Sequence, residues 1–286
     1  MILPPLPTPF TARGDLDREA FKELVQRLEP EVDGLLLYGS NGEGVLLAPE
    51  ERREGLEVVS TAKPLLVGIM EESLPQARRA LEEAASVGAQ EVLVTPPRYY
   101  AAHLGGGLKE YYLTLADTGG PELWLYHVPQ NTHVDLPLAV VAELAAHPRV
   151  VGIKDSSGEL ARIAFYVTAQ LPLRIYTGHA PTFLGALALG AQGGILAAAN
   201  LAPRAYRALL QAVREGDFET ARRLQGLLEP LGRLLNRGGV VLLKQALRYL
   251  GMPAGFPRPP YPKESPWWEQ LLPELELLRQ DSWLIA

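Results

Sequence analysis

There is no cysteine in these 286 residues. That excludes disulfides, thiolate metal sites, Fe–S clusters and a cysteine nucleophile. Lysine is also scarce, with six against twenty-one arginines, so a lysine inside an apolar run is not drawn from a lysine-rich background. The five histidines (His103, His127, His133, His147, His179) show no His-Glu-x-x-His spacing, and nothing points to a metal ligand set. No apolar stretch nears the roughly 18 residues of a membrane span. The opening Met1-Ile2-Leu3-Pro4-Pro5 lacks the basic and long apolar regions of a signal peptide. A net charge of −6 disfavours nucleic acid and anionic membranes as partners. The expectation from these absences is a soluble, cytoplasmic protein without a metal site, and no cofactor is expected. With 47% apolar and 21% charged residues, the chain has the composition of a globular domain rather than a disordered one.

The most informative residue present is Lys154. It follows Val150-Val151-Gly152-Ile153, which reads as a buried strand, and precedes Asp155-Ser156-Ser157. A charged amine in such a place is costly unless it is paired or its pKa falls. A lysine with a lowered pKa is the usual nucleophile for Schiff-base chemistry on a carbonyl. An ion pair with Asp155 or another carboxylate is the competing explanation.

Short apolar runs recur along the chain. Strands are expected near Ile2–Pro7, Gly34–Gly39, Pro64–Ile69, Glu91–Thr95, Leu123–His127, Val150–Lys154, Leu173–Thr177 and Gly194–Ala198. Several carry few polar residues, as strands covered on both faces do. Helical spacing fills Asp17–Leu28, Ala48–Ala62, Leu74–Val87, Leu108–Asp117 and Leu136–Ala146. Eight strands alternating with helices predict an α/β fold, a (β/α)8 TIM barrel. A doubly wound sheet competes, but no Gly-x-Gly-x-x-Gly follows the first strand. After Pro203 the pattern becomes helical: Arg204–Glu215, Asp217–Asn236, Val240–Leu250 and, past a proline-rich stretch, Trp267–Arg279. The chain thus divides into a barrel over residues 1–203 and a C-terminal helical extension over 204–286. Trp267 and Trp268 either anchor an interface or cover local core.

Barrel active sites collect at the C-terminal ends of the strands. The second strand ends in Gly39-Ser40-Asn41-Gly42-Glu43-Gly44. Backbone N–H groups of this loop suit a carboxylate, whereas Glu43 would repel a phosphate and no Walker lysine follows. The fifth strand ends in Tyr126-His127-Val128-Pro129 and the sixth at Lys154. Tyr126 is either a proton carrier or a core tyrosine. On one barrel mouth Lys154, Tyr126 and Ser40 make a nucleophile, a proton shuttle and a relay hydroxyl, with His127 and His179 as further candidates for the mouth.

These strings resemble the dihydrodipicolinate synthase/N-acetylneuraminate lyase family of Schiff-base aldolases. The likeness runs through Thr8-Pro9-Phe10, Gly39-Ser40-Asn41-Gly42-Glu43, Val94-Thr95-Pro96 with Tyr99-Tyr100, Tyr126-His127-Val128-Pro129, Val151-Gly152-Ile153-Lys154-Asp155, Gly190-Ala191-Gln192-Gly193-Gly194-Ile195 and Asn200. The resemblance implies Lys154 as the imine-forming lysine, Tyr126 as the proton-relaying tyrosine and Ser40 as its partner hydroxyl. It implies Gly39, Asn41, Tyr100, Asn131, Ser156 and Ile195 as substrate-binding residues, with Tyr100 matching a tyrosine lent across a subunit interface and Ile195 lining the pyruvate pocket. It also implies a homotetramer acting on a small 2-oxo acid and an aldehyde. Within the family, Gly39-Ser40-Asn41-Gly42-Glu43, Asn131, Lys154-Asp155-Ser156, Glu57-Val58-Val59-Ser60 and Asp135-Leu136-Pro137 resemble 4-hydroxy-2-oxoglutarate aldolase. The synthases of the family usually carry arginine where Asn131 stands, and glycine is the family residue at His133. The rival expectations are dihydrodipicolinate synthase, a sugar-acid aldolase or dehydratase, and a non-catalytic 2-oxo-acid binding protein.

Overall fold

The computed structural model describes residues 1–285. Its eight strands are β1 Ile2–Leu3, β2 Leu35–Leu37, β3 Leu65–Ile69, β4 Glu91–Val94, β5 Glu122–His127, β6 Val150–Asp155, β7 Arg174–Thr177 and β8 Gly193–Ile195. Each pairs in parallel with its neighbour in the order β1-β8-β7-β6-β5-β4-β3-β2. A parallel bridge between Pro5 and Leu36 joins the two ends of this sheet. The architecture is therefore the expected TIM barrel. β1 is shorter than its apolar run because Pro4, Pro5 and Pro7 have no N–H to give a ladder. The contact continues past the strand through Leu6 N to Leu36 O at 2.9 Å and Leu36 N to Pro4 O at 3.1 Å.

The helices are α1 Arg18–Leu28, α2 Pro49–Val58, α3 Leu74–Ser86, α4 Gly107–Asp117, the single turn α5 Pro129–Thr132, α6 Leu138–Ala145, α7 Leu160–Thr168, α8 Phe183–Ala188, α9 Pro203–Glu215, α10 Phe218–Tyr249 and α11 Trp268–Gln280. Side-chain caps set several starts: the Asp17 carboxylate accepts from Ala20 N at 3.0 Å, and the Ser73 hydroxyl from Gln76 N at 3.5 Å. α2 stops at Val58 rather than running to Ala62. The segment beyond it is held instead by Glu29, which accepts from the Thr61 hydroxyl at 2.5 Å and from Ala62 N at 2.9 Å. The two helices expected over 217–250 form one element, α10, broken at Gly239, whose φ of 57° and ψ of −151° leave the helical region. Among the described residues no helix is long and apolar enough to cross a membrane.

Strand side chains alternate between two cores. Outward residues such as Leu123, Leu125 and Ile153 pack against the helices. Inward residues, among them Leu3, Leu36, Leu66, Leu93, Trp124 and Tyr176, fill the barrel. Trp267 and Trp268 pack on the helical core of the same chain, with Arg237 over the Trp267 ring at 5.3 Å and Tyr249 edge-on to Trp268 at 5.2 Å.

Gly152 makes room for the largest interior side chain. A Cβ there would lie 2.4 Å from the Trp124 ring, which is tethered through Nε1 to Glu91 Oε2 at 2.8 Å. Overpacking of this kind costs about 1–3 kcal/mol. Gly152→Ala is expected to lower the stability read from urea unfolding by that amount, and an unchanged midpoint would show the barrel interior to be looser than this packing.

Candidate active site

At the C-terminal ends of the strands a cavity of about 550 Å³ opens. Register sets its floor: Tyr126 of β5 pairs directly with Lys154 of β6, so two inward side chains meet on adjacent strands. Lys154 Nζ donates to Tyr126 Oη at 3.2 Å and sits 4.3 Å from the ring centroid. Tyr126 Oη in turn lies 3.4 Å from Ser40 Oγ. All three side chains line the cavity, and Lys154 and Tyr126 are each 3% exposed. Burial pushes the Tyr126 hydroxyl upward. The Lys154 charge and hydrogen bonds with Ser40, Lys154 and Ser156 outweigh it, so its pKa falls below the ordinary tyrosine value.

Asp155 is not the partner of Lys154. As the next residue on the strand it points to the opposite face. There its Oδ2 lies 3.1 Å from His127 Nδ1, accepts from Arg162 Nε at 3.1 Å and from Tyr166 Oη at 2.9 Å, while Oδ1 accepts from Ser157 N and Oγ. His127 also contacts Asp135 Oδ1 through Nε2 at 3.0 Å. His127 therefore belongs to a buried network behind the strand ends, not to the mouth. His179 does line the cavity, with Nδ1 2.9 Å from Thr182 Oγ1 and its pKa lowered by burial.

The second strand leads into a single 3-10 turn, Ser40–Gly42, flanked by Tyr38 and Glu43 with left-handed φ of 55° and 52°. Gly42 N and Gly44 N both donate to Gly39 O, and the Thr8 hydroxyl fixes Gly42 O at 2.6 Å. Ser40 and Asn41 open the turn, where N–H groups lack an internal acceptor.

Asn41, Asn131, Ser156 and Ile195 line the cavity with the three residues above. Gly39 is buried behind them and contributes backbone only. Tyr100 does not reach the cavity of its own chain. It is 69% exposed and stacks edge-on with Tyr99 at 4.9 Å. His133 is exposed, lies outside the cavity and has φ 54°, a backbone region that suits the glycine expected there.

Four parts of the site carry no clear chemical signal in the sequence. Leu235, Asn236, Gly239 and Val240 of α10, together with Tyr261, form the outer wall. They come from the segment that reads only as helical extension and proline-rich linker, where the Gly238-Gly239 pair alone hints at a special backbone. Gln130 lines the cavity and donates from Nε2 to Ser156 O at 3.0 Å. Gly178 sits against the lysine: a Cβ there would lie 1.9 Å from Ser156 Oγ and 2.8 Å from Lys154 Cε. Lys244 lies behind the Ser40–Glu43 turn, paired with Glu43.

Two outcomes follow from this geometry. Gly178→Ala must displace Ser156 and Lys154. It is expected to fold, as judged by circular dichroism, and to lose about 100-fold in turnover, the usual cost of a misplacement near 1 Å. Asp155 is held at about pH 2 against burial, which pushes it upward, by His127 and Ser157. Its folded pKa lies below its ordinary 3.8, so its stabilisation is complete above that value and is lost as pH falls towards about 2. Asp155→Asn should remove this part of the acid unfolding limb.

Comparison with known proteins agrees with the geometry. The model of the dihydrodipicolinate synthetase family matches residues 1–272. A 4-hydroxy-tetrahydrodipicolinate synthase from Exiguobacterium sibiricum is 32% identical over 268 residues, 91% of each chain. A crystal structure from Thermus thermophilus, described as a candidate dihydrodipicolinate synthase, is 65% identical with a TM-score of 0.97, covering 99% of this chain and 100% of its own. A prophage protein of the dihydrodipicolinic acid synthase family from E. coli K12, solved in complex with pyruvate, is 29% identical with a TM-score of 0.88 over 99% of this chain and 98% of its own. These relatives bear the synthase or family name rather than that of 4-hydroxy-2-oxoglutarate aldolase. The chain belongs to the dihydrodipicolinate synthetase family and is a pyruvate-dependent lyase of the class I aldolase type.

Proposed function

We propose that this enzyme cleaves 4-hydroxy-2-oxoglutarate to pyruvate and glyoxylate through an imine at Lys154. The observation that carries the reading is the chain Lys154–Tyr126–Ser40 at the floor of a cavity in which, among the described residues, Lys154 is the only lysine or arginine. The neutral amine of Lys154 attacks C2 of the 2-oxo acid and loses water to give the imine, whose protonated nitrogen accepts electrons. A base takes the C4 hydroxyl proton, the C3–C4 electron pair moves toward the imine nitrogen, and glyoxylate departs as the aldehyde. The remaining enamine is protonated at C3 and hydrolysed to pyruvate and free Lys154. Tyr126 carries the protons, with Ser40 as its relay. The N–H groups of Ser40 and Asn41 hold the carboxylate next to C2, and Ile195 contacts the methyl end.

Asn131 favours this substrate over aspartate semialdehyde. The synthases of the family usually carry arginine at this position, whose charged, bidentate grip an amide does not supply, and among the described residues no arginine lines the cavity. The names of the curated relatives favour the synthase reading. Assaying glyoxylate and aspartate semialdehyde side by side separates the two. The same reading makes the protein a cytoplasmic homotetramer in which the exposed Tyr100 completes the site of a neighbouring subunit.

Incubation with pyruvate and borohydride should leave a reduced pyruvyl adduct that mass spectrometry maps to Lys154. Lys154→Ala should fold and be inactive. Tyr126→Phe should keep the adduct and lose about 10²–10⁴-fold in turnover, the range of general acid–base help. A wild-type protein that forms no adduct with excess pyruvate would sink the imine mechanism, and normal turnover of Tyr126→Phe would remove the tyrosine from it.

A further inference from the structure

Glu43 lines the cavity that takes the 2-oxo acid, yet it is an acid at the binding site of an anion. It is 3% exposed and held in a left-handed conformation, a strained state for a residue with a Cβ. Its Oε2 accepts from Arg258 N at 2.8 Å, and its Oε1 accepts from Lys244 Nζ. Lys244, on α10 and one turn beyond the Gly239 break, is completely buried. Its three donors are used on three separate segments: Glu43 of the catalytic turn, Thr8 O at 2.6 Å and Phe256 O at 2.7 Å. Thr8 itself fixes Gly42 of the same turn. Burial lowers the Lys244 pKa to about 8 with help from Arg248 and Arg258, while Glu43 raises it; three acceptors around Nζ, one of them a carboxylate, call for the three N–H bonds of the ammonium form.

We infer that Lys244 is a positioning residue for the reaction: by pairing with Glu43 it cancels a buried negative charge beside the Ser40–Glu43 turn, so that this turn can receive the carboxylate of a 2-oxo acid. Among the described residues that line the cavity, Glu43 supplies the one carboxyl group and Lys154 the one side-chain amine. An uncompensated carboxylate in such a poorly screened place acts on any anion bound beside it. The helical segment after the barrel strands thereby takes part in substrate binding through a residue that need not touch substrate. The inference rests on imine formation at Lys154.

The test is the ratio of half-saturation concentrations for borohydride-trapped adduct at Lys154, pyruvate over its neutral methyl ester. Titration or displacement of Lys154 affects both ligands and cancels. Lys244→Met should raise this ratio about tenfold or more, because only pyruvate meets the released Glu43 charge. The neutral pair Glu43→Gln/Lys244→Met should return it to within about threefold of wild type. A merely structural lysine would weaken both ligands alike, and an unchanged ratio in folded Lys244→Met overturns the inference. If Lys244→Met does not fold, Lys244→Gln, which can keep a bond to the Thr8 or Phe256 carbonyl, is read in the same way. If neither folds, Glu43→Gln alone decides: with Lys244 left unbalanced beside the bound anion the ratio should fall at least about threefold below wild type, and an unchanged ratio overturns the inference. Absence of any adduct in the wild type defeats the imine mechanism instead, so the two failures are distinguishable.

Discussion

The period of two along β6 governs the site. Successive residues of a strand face opposite sides of the sheet, so Lys154 enters the barrel and Asp155 leaves it. Had the two side chains shared a face, the nearest carboxylate would have held the amine in its protonated form, with the lone pair taken up by the proton. Instead Asp155 is saturated by His127, Arg162, Tyr166 and Ser157, and the contact given to Lys154 is a phenol, Tyr126. A phenol can accept and return a proton without trapping the amine as a permanent ion pair. The parallel register of β5 with β6 supplies that phenol at the right level, and the missing side chain of Gly178 leaves the lysine its path.

Charge is handled by the same separation into layers. The cavity floor has the Lys154 amine, and the acids close to it are each engaged by a cation or several donors on the far side. Asp155 is met by Arg162 and His127, and Glu43 by Lys244 and the Arg258 N–H. Buried charges are tolerable only when so compensated. A lyase for anionic 2-oxo acids needs this more than most barrels, since each unbalanced carboxylate near the mouth opposes its substrate.

Much of the scaffold was legible from the chain alone. Eight apolar runs separated by amphipathic segments mark the strands, because a parallel strand must be covered on both faces. Strand limits were less legible where proline interrupts the ladder, as in β1, and helix limits where a side chain such as Glu29 captures the backbone past α2. At the site, Lys154, Tyr126 and Ser40 stood out because a lone lysine, a tyrosine and a glycine-flanked serine all end strands. His127 misled: a strand-end histidine reads as a mouth residue, and only the face it occupies puts it with Asp155 and Asp135 behind the sheet. Lys244 and Asn236 were invisible for the opposite reason. Each sits in a helix of ordinary composition, and nothing local distinguishes a lysine aimed into the protein from one aimed at water.

The sequence by itself determined the barrel, through the period and length of its apolar runs, and the residue types that end β2, β5 and β6. These are local properties, fixed by which side chains a strand can bury and where it must stop. The tertiary structure alone decided which groups meet. It brought Ser40, Tyr126 and Lys154 within hydrogen-bonding reach across 86 and 28 residues of chain, turned Asp155 away, and set Lys244 beneath Glu43 from 201 residues downstream. Contacts at such separations depend on closure of the barrel and on the bend of α10 at Gly239, which no window of neighbouring residues contains.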